Sequence, residues 1–433
     1  MDSMPKYASY KDSGVEWLGN IPSDWNLKPG FVAFTENKRN NKGMKENTVL
    51  SLSYGKIVIK PEEKLVGLVP ESFETYQLVE PNDIIVRCTD LQNDKVSLRT
   101  GLAKDNGIIT SAYLNLKVRR GFNSRFLHYY LHSLDTTKVI YKFGSGLRQN
   151  LSFLDFKRLP VFDISESIQI AVADYLDQKT AQIDEAIAIK EQQIALLKER
   201  KQIIIQQAVT QGLDPNVPMK DSGVEWIGRI PKHWHYEPIK YSLKGIVDCE
   251  HKTAPFVDEE EFFVVRTTNV KDGKINLTGA KYTHAKGYKE WTRRGIPTPG
   301  DILLTREAPA GEACTVPEDL KLCLGQRMVW LKVDRTRLVP EFGVALIYSS
   351  IGRTYIDFLS AGSTVLHFNM SDIANIPVVL PPLDEQKALV EYINCKSVEI
   401  ENSSKILSQQ IEKLREYKTT LINSAVTGKI KVA

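Results

Sequence analysis

Basic side chains interleaved with amides, hydroxyls, aromatics and glycines are the residues of this chain best equipped to do chemistry. They cluster at RRGF (119–122), GSGLRQN (144–150), VVRTTNVKDGK (264–274), YKEWTRRG (288–295) and GSTVLHFN (362–369). Arginine and lysine neutralise phosphates, and with asparagine and glutamine they supply the bidentate pairings that tell guanine from adenine in a major groove. Flanking glycines let side chains and backbone amides approach a duplex closely. The candidate contacts with double-stranded DNA are therefore Arg119, Arg120, Arg148, Gln149 and Asn150 in the first half of the chain. In the second half they are Arg266, Asn269, Lys271, Arg293, Arg294, His367 and Asn369. A solvated loop has the same composition, so the recurrence of such stretches in both halves carries the reading.

Other chemistries lack their residues. The chain has no GxxxxGK[ST] phosphate loop, no glycine-rich cofactor loop after a strand and no Asn/Asp-Pro-Pro-aromatic methyltransferase signature. His128 and His132 stand four apart, but without the Glu of HExxH they read as ordinary histidines. The cysteines (Cys88, Cys249, Cys314, Cys323 and Cys395) form no CxxC pair, which predicts reduced thiols and no metal ligands. No catalytic residue is assigned. A net charge of +4 permits nucleic acid as a partner without arguing for it, so any electrostatic footprint must be local. With 42% hydrophobic and 25% charged residues and no apolar run of spanning length, the expectation is a soluble, cytoplasmic protein with no membrane partner.

The elements that must position these residues are announced by a repeat. KDSGVEWLGNIPSDW (11–25) returns 209 residues later as KDSGVEWIGRIPKHW (220–234). A second correspondence, at an offset of 217, aligns 173–212 with 390–429 without a gap and ends in Ala208-Val209-Thr210 against Ala425-Val426-Thr427. In these segments Leu176, Ile183, Lys190, Leu197 and Ile204 are spaced by seven, as are Ile393, Ile400, Leu407, Leu414 and Leu421. The 3.5-residue apolar period and the absence of Gly and Pro predict long helices with a coiled-coil seam. Intramolecular antiparallel pairing is the economical partner choice; a homodimer built on the same stripes is the alternative. The repeated phrase, too punctuated by Gly and Pro for a helix, reads as a packed connector with buried tryptophans.

Between connectors the pattern is mixed. Strand-like runs (56–59, 83–87, 113–118, 262–267, 301–305 and 328–333) alternate with turns, and 124–134 and 340–350 read as helices. The expected fold class is α+β, with two globular domains separated by two long helices that form an antiparallel coiled coil, related by a pseudo-twofold internal repeat. The boundaries are a connector at 1–25, a domain at 26–160, a long helix at 161–212, a second connector at 213–234, a domain at 235–378 and a long helix at 379–433. Gln192, Gln193 and Glu199, with Gln409, Gln410 and Glu416, lie on helix surfaces suited to docking a partner.

With both phrases, RQNLSFLDFKRLPV (148–161) and LPPLDEQKALVEYI (380–393), the chain resembles the specificity subunits of type I restriction-modification systems over essentially its whole length. The resemblance implies a non-catalytic subunit with two target-recognition domains, each reading one half of a split DNA sequence. It implies conserved helices that set the gap and dock two methyltransferase (modification) subunits, joined by restriction-translocation subunits. It places S-adenosylmethionine, ATP and Mg on those partners, with no cofactor in this chain. The sequence departs from the pattern at VFDISESIQI (161–170), where the second copy has VVLPPLDEQK (378–387), leaving the start of the first helix open. Two rival readings are a nuclease within one variable segment, which would cleave DNA with magnesium alone, and a coiled-coil scaffold with no DNA role.

Overall fold

The computed structural model describes residues 4–61, 63, 72–89, 91, 98–143, 150–360 and 368–432. The chain divides into two units, Met1–Glu191 with Ser408–Ala433, and Gln192–Leu407. The division cuts through both long helices, Glu166–Gln211 and Leu383–Val426.

Each unit is built on a four-stranded antiparallel sheet. In the first, the order is Phe34–Glu36, Tyr113–Val118, Ile84–Arg87, Thr100–Leu102. In the second it is Leu243–Asp248, Met328–Val333, Ile302–Thr305, Ala313–Thr315. The two orders are the same in chain terms, although the segments share almost no wording. Successive side chains of a strand face opposite ways, and both faces are covered here, which is why the central strands are continuously apolar. Ile84 and Val86 pack with Phe126, Leu127 and Tyr130 of the helix Ser124–Thr136, whereas Ile85 faces Leu50, Val79 and Ile109. In the second unit Ile302 and Leu304 meet Phe342 and Ile347 of the helix Pro340–Tyr348, and Leu303 faces Phe263 and Val265.

The wording the variable segments do share, NDIIV (82–86) and GDILL (300–304), marks a buried carboxylate at the start of each central strand. Asp83 accepts from Asn37 Nδ2 at 3.2 Å and Asn115 Nδ2 at 3.1 Å. Asp301 accepts from Trp330 Nε1 at 2.8 Å and from the Val333 amide at 3.0 Å. A charge removed from water must be matched by donors, and these strands supply them.

The repeated phrase forms a short hairpin in each unit, Tyr10–Asp12 with Asn20–Pro22 and Met219–Asp221 with Arg229–Pro231. Its Asp-Ser-Gly is an Asx-type turn. The Asp12 and Asp221 carboxylates accept from the Gly14 and Gly223 amides at 3.0 and 2.8 Å, with both glycines at positive φ. The closing tryptophans, Trp25 and Trp234, are wholly buried. Trp25 joins a core containing Phe162, Ala425 and Val426, and Trp234 one containing Ala208 and Val209. The repeated Ala-Val-Thr is thus the small-residue end of a helix on which a connector tryptophan sits.

The two long helices start 217 residues apart, at Glu166 and Leu383, so the missing prolines of the first copy do not displace its start. A buried glutamine serves both starts. Gln169 accepts from the Asn123 amide at 2.9 Å and donates to Ile164 O at 2.9 Å. Gln386 accepts from the Val339 amide at 2.8 Å and donates to Arg337 O and Pro381 O, both at 2.9 Å. The lost wording does have one local effect. Trp234 Nε1 donates to Glu385 at 3.1 Å, but the first copy has Ile168 at that register and Trp25 Nε1 is buried without a partner.

Within the first unit the helices are bridged by Lys418–Asp184 at 2.6 Å, Arg415–Glu191 at 3.1 Å and Lys190–Gln410 at 2.7 Å, and within the second by Lys201–Glu401 at 2.9 Å. In the first unit, numbers rising along one helix fall along the other. Exposed pairs of this kind contribute little; the buried seam residues Leu176, Ile183, Ile393, Ile400, Ile411 and Leu421 contribute more.

Gln386→Ala strands one amide and two carbonyls, so a loss of about 2–4 kcal/mol in urea unfolding is expected, with Gln169→Ala similar. Glu385→Ala, which costs Trp234 its acceptor, should lose about 1 kcal/mol. Unchanged midpoints for the glutamine variants would show that something else closes the helix starts.

Candidate nucleic-acid interface

In the second unit several arginines gather at one end of the sheet. Asp248 ends the strand Leu243–Asp248, and Arg306 follows Ile302–Thr305. The buried Arg306 guanidinium donates to both Asp248 oxygens at 2.9 and 2.8 Å and to Phe368 O at 3.0 Å. His251 Nε2 lies 2.9 Å from the same carboxylate. Burial alone would raise the Asp248 carboxyl, but His251 and Arg306 outweigh it and hold it below its ordinary value. Asp248, Cys249 and His251 bring three ligand atoms within 4.8 Å of one another. A fixed guanidinium already neutralises that charge, so the cluster is built as an ion-pair network that ties loops together.

Around this network Arg293 reaches Glu250 at 3.3 Å, and Arg294 donates to Asp248 O and Cys249 O at 3.0 Å. Gln326 Nε2 donates to His251 O at 3.2 Å, and Arg327 Nε pairs with Glu307 at 2.7 Å. Arg266 sits opposite, its Nη2 on Gly279 O at 2.6 Å. The structure therefore brings together Arg266, Arg293 and Arg294 of the sequence candidates. It adds Arg306, Gln326 and Arg327, which sequence reasoning missed; the Gly-Gln-Arg between the apolar runs KLCL and MVWL was the available signal.

The other candidates go elsewhere. Asn269 is fully buried, its amide taken up by the Arg266 N–H and Asn276 O, so it holds a loop and faces no solvent. Lys271 is exposed on the small hairpin Val270–Lys271/Lys274–Ile275, whose Lys274 pairs with Glu401 at 3.1 Å. Asn369 caps the helix Met370–Ala374. His367, Arg148 and Gln149 lie outside the described residues.

In the first unit Asn150 is exposed at the corresponding end, where the next amide, Leu151, donates to Cys88 O at 2.9 Å. Nearby Arg99 is buried, donating to Thr89 O at 2.8 Å and Tyr141 Oη at 3.1 Å. Arg119 and Arg120 are exposed but follow the far end of Tyr113–Val118, beside the start of the long helix. The docking candidates Gln192, Gln193, Glu199, Gln409, Gln410 and Glu416 are all exposed. Gln410 and Glu416 already meet Lys190 and Lys413.

The described cysteines are free thiols, four of them buried, and burial pushes Cys88, Cys314 and Cys323 up to about 12. His128 and His132 are sealed in the first unit. Burial takes His128 down to about 3, and burial together with the Lys418 charge takes His132 down to about 4.

Residues 241–413 match the family model of the type I restriction modification DNA specificity domain. Across 96% of this chain and 96% of its relative, 24% of residues are identical to the putative type I restriction enzyme MjaX specificity subunit of Methanocaldococcus jannaschii. The EcoBI specificity subunit of Escherichia coli is 20% identical over 84% of this chain and 76% of its own. The fold matches a chain from a structure of the type I R-M system with a TM-score of 0.69 at 14% identity, over 95% of this chain and 99% of that one. It also matches the HsdS subunit from Thermoanaerobacter tengcongensis with a TM-score of 0.51 at 14% identity, over 95% and 98%. The second unit is thus built around a DNA specificity domain. Residues 241–413 carry the type I restriction modification DNA specificity domain, and over nearly its whole length the chain is similar in sequence to a type I restriction enzyme specificity subunit and in fold to a chain of the type I R-M system. No described helix is long and apolar enough to cross a membrane.

The two buried histidines make the first unit acid-sensitive. The unfolded chain takes up protons below the ordinary value of 6.5, whereas the folded one resists until about 4 and 3. Stability is complete above 6.5 and falls as pH drops, by on the order of 2 kcal/mol per histidine between pH 6.5 and 5. Thermal melts at pH 7.5 and 5 should show a drop that His128→Gln with His132→Gln largely removes.

Proposed function

We propose that the chain reads a bipartite DNA target, one unit for each half-site, and that the two long helices set the spacer between half-sites and dock the methyltransferase subunits. The observation that carries this is the repetition of one sheet order in two units that draw on the same two helices. A common scaffold with divergent loops suits two readers of different sequences. The helices, uninterrupted by Gly or Pro over 46 and 44 residues, suit a stiff connection. On this reading 26–160 and 235–378 are the target-recognition domains, and 1–25 and 213–234 are connectors. The helical stretches 161–212 and 379–433 complete the layout as an antiparallel coiled coil with a pseudo-twofold repeat.

The exposed polar faces at Gln192, Gln193, Glu199, Gln409, Gln410 and Glu416 are the docking ground we assign to two methyltransferase subunits, with restriction-translocation subunits joining through them. S-adenosylmethionine, ATP and Mg belong to those partners. The shallow apolar groove of Val339, Val390 and Val398 beside the second helix supports a helix-borne partner surface.

Two experiments on the complete complex test this. Inserting four residues near Lys190 and four near Leu407 should lengthen the recognised gap by about 6 Å, or roughly two base pairs. An active complex with an unaltered gap refutes the ruler. Replacing 26–160 by another variable segment should alter one half-site only; a change in both would overturn the division of labour.

A further inference from the structure

Between the turn Gly325-Gln326-Arg327 and the short helical turn Thr267–Asn269 lies an open cleft of about 300 Å³. Thr253, Phe256, Arg266, Thr268, Gln326 and Arg327 are among its lining residues, which include two arginines and no carboxylate. Arg327 is already paired with Glu307, so it is the Arg266 guanidinium with the neighbouring threonine hydroxyls that makes a place for a phosphate. Arg266 Nε is buried and has no partner, while Nη2 of the same group is anchored on Gly279 O. A buried donor left open in this way calls for an acceptor.

The rim is held to a fixed shape. Arg327 has φ +72° and His251 φ +53°, values an L-residue keeps only where its surroundings impose them. Those surroundings are visible: Arg306 N donates to Arg327 O at 2.9 Å, Gly325 N to Val265 O at 2.8 Å, and Gln326 Nε2 to His251 O. A Cβ at residue 325 would come within 2.5 Å of Val265 O, so only glycine lets the turn lie this close. Glu307 takes Arg327 Nε and so aims its guanidinium. Gln326 and Arg327 are both exposed, side by side on a rigid turn.

We propose that this turn is the base-reading centre of the second unit: Gln326 and Arg327 meet base edges, and Arg266 with its neighbouring hydroxyls seats a backbone phosphate of the same duplex. The assignment rests on the DNA reading given above and names its residues. Arginine and glutamine are the side chains whose paired donors and acceptors match guanine and adenine edges. The Asp248–Arg306 pair beneath them is a positioning element, because it ties the strand ends that carry the turn and its supporting loop.

The test uses the complete chain with its methyltransferase partners in a host whose DNA is then mapped for modified sites. Arg327→Gly keeps the backbone conformation and removes only the side chain; Gln326→Ala removes the amide. Each should relax one position of one half-site by about ten- to a hundredfold while the other half-site stays unaltered. Arg266→Met should instead weaken DNA binding for all sequences alike and lower the salt dependence by about one phosphate. A motif unaltered in both Arg327→Gly and Gln326→Ala, or relaxed equally in both half-sites, overturns this assignment alone. No modified motif from the unaltered chain overturns the reading on which it rests, and the assignment with it. Melting of each variant alongside the parent separates loss of contact from loss of fold.

Discussion

A helix of more than forty residues cannot bury its apolar stripe inside the domain that begins it, and the rest of this structure follows from that constraint. Each long helix begins in the core of one unit, through Val172 and Leu176 or through Leu389 and Ile393. Each ends in the core of the other, through Ala208 and Val209 or through Ala425 and Val426. The first unit therefore completes its core from two separate stretches of chain, and the second closes its core with the last turns of one long helix and the first turns of the other. The first unit joins residues 1–191 with 408–433: Lys431 N donates to Pro5 O at 2.7 Å, and a Cβ at Gly428 would strike Pro22 and Trp25. Contacts of such sequence separation cost more loop-closure entropy than the local hairpins and helices do.

Much of this architecture was legible because it is periodic. A seven-residue apolar repeat and a twice-written connector are strong signals: of the spaced positions, Leu176, Ile183, Ile393, Ile400 and Leu421 are buried, Lys190, Leu197, Ile204, Leu407 and Leu414 are half-buried, and Ile411 is buried outside that spacing. Strands 113–118 and 328–333 were read to the residue. The common sheet order of the two variable segments was not legible. A two-faced sheet asks only for apolar side chains of suitable volume, which many sequences satisfy, so wording survives only where a polar group is buried, as at Asp83 and Asp301. The start of the first helix was left open for a similar reason. A single glutamine does not stand out in a sequence, yet Gln169 and Gln386 do at both starts what the prolines were expected to do.

Composition pointed to a candidate interface but could not give its geometry. Loop stretches rich in arginine and amides led to Arg266, Arg293 and Arg294, which do share one rim. Composition cannot say which end of a strand a residue follows, and Arg119 and Arg120 follow the end away from Cys88 and Arg99. Nor can it say whether an amide faces inward, as Asn269 does. Arg306 and Arg327 were overlooked because each adjoins an apolar strand, where a lone charge looks like a boundary.

The two ends of each sheet carry different duties. Gln386 bonds to Arg337 O and the Val339 amide, just beyond Val333, and Gln169 holds Asn123, just beyond Val118. These bonds and the connector tryptophans secure the fold at the end near the long helices. The rim of Asp248, Arg306 and Arg327 lies at the other end of the same strands, since Asp248 pairs with Val329 and Thr305 with Met328. Rim substitutions therefore disturb few of the contacts that hold the sheet. That separation is a physical reason why two segments so unlike in sequence keep one strand order: the end that must stay constant and the end free to vary are five or six residues apart along each central strand.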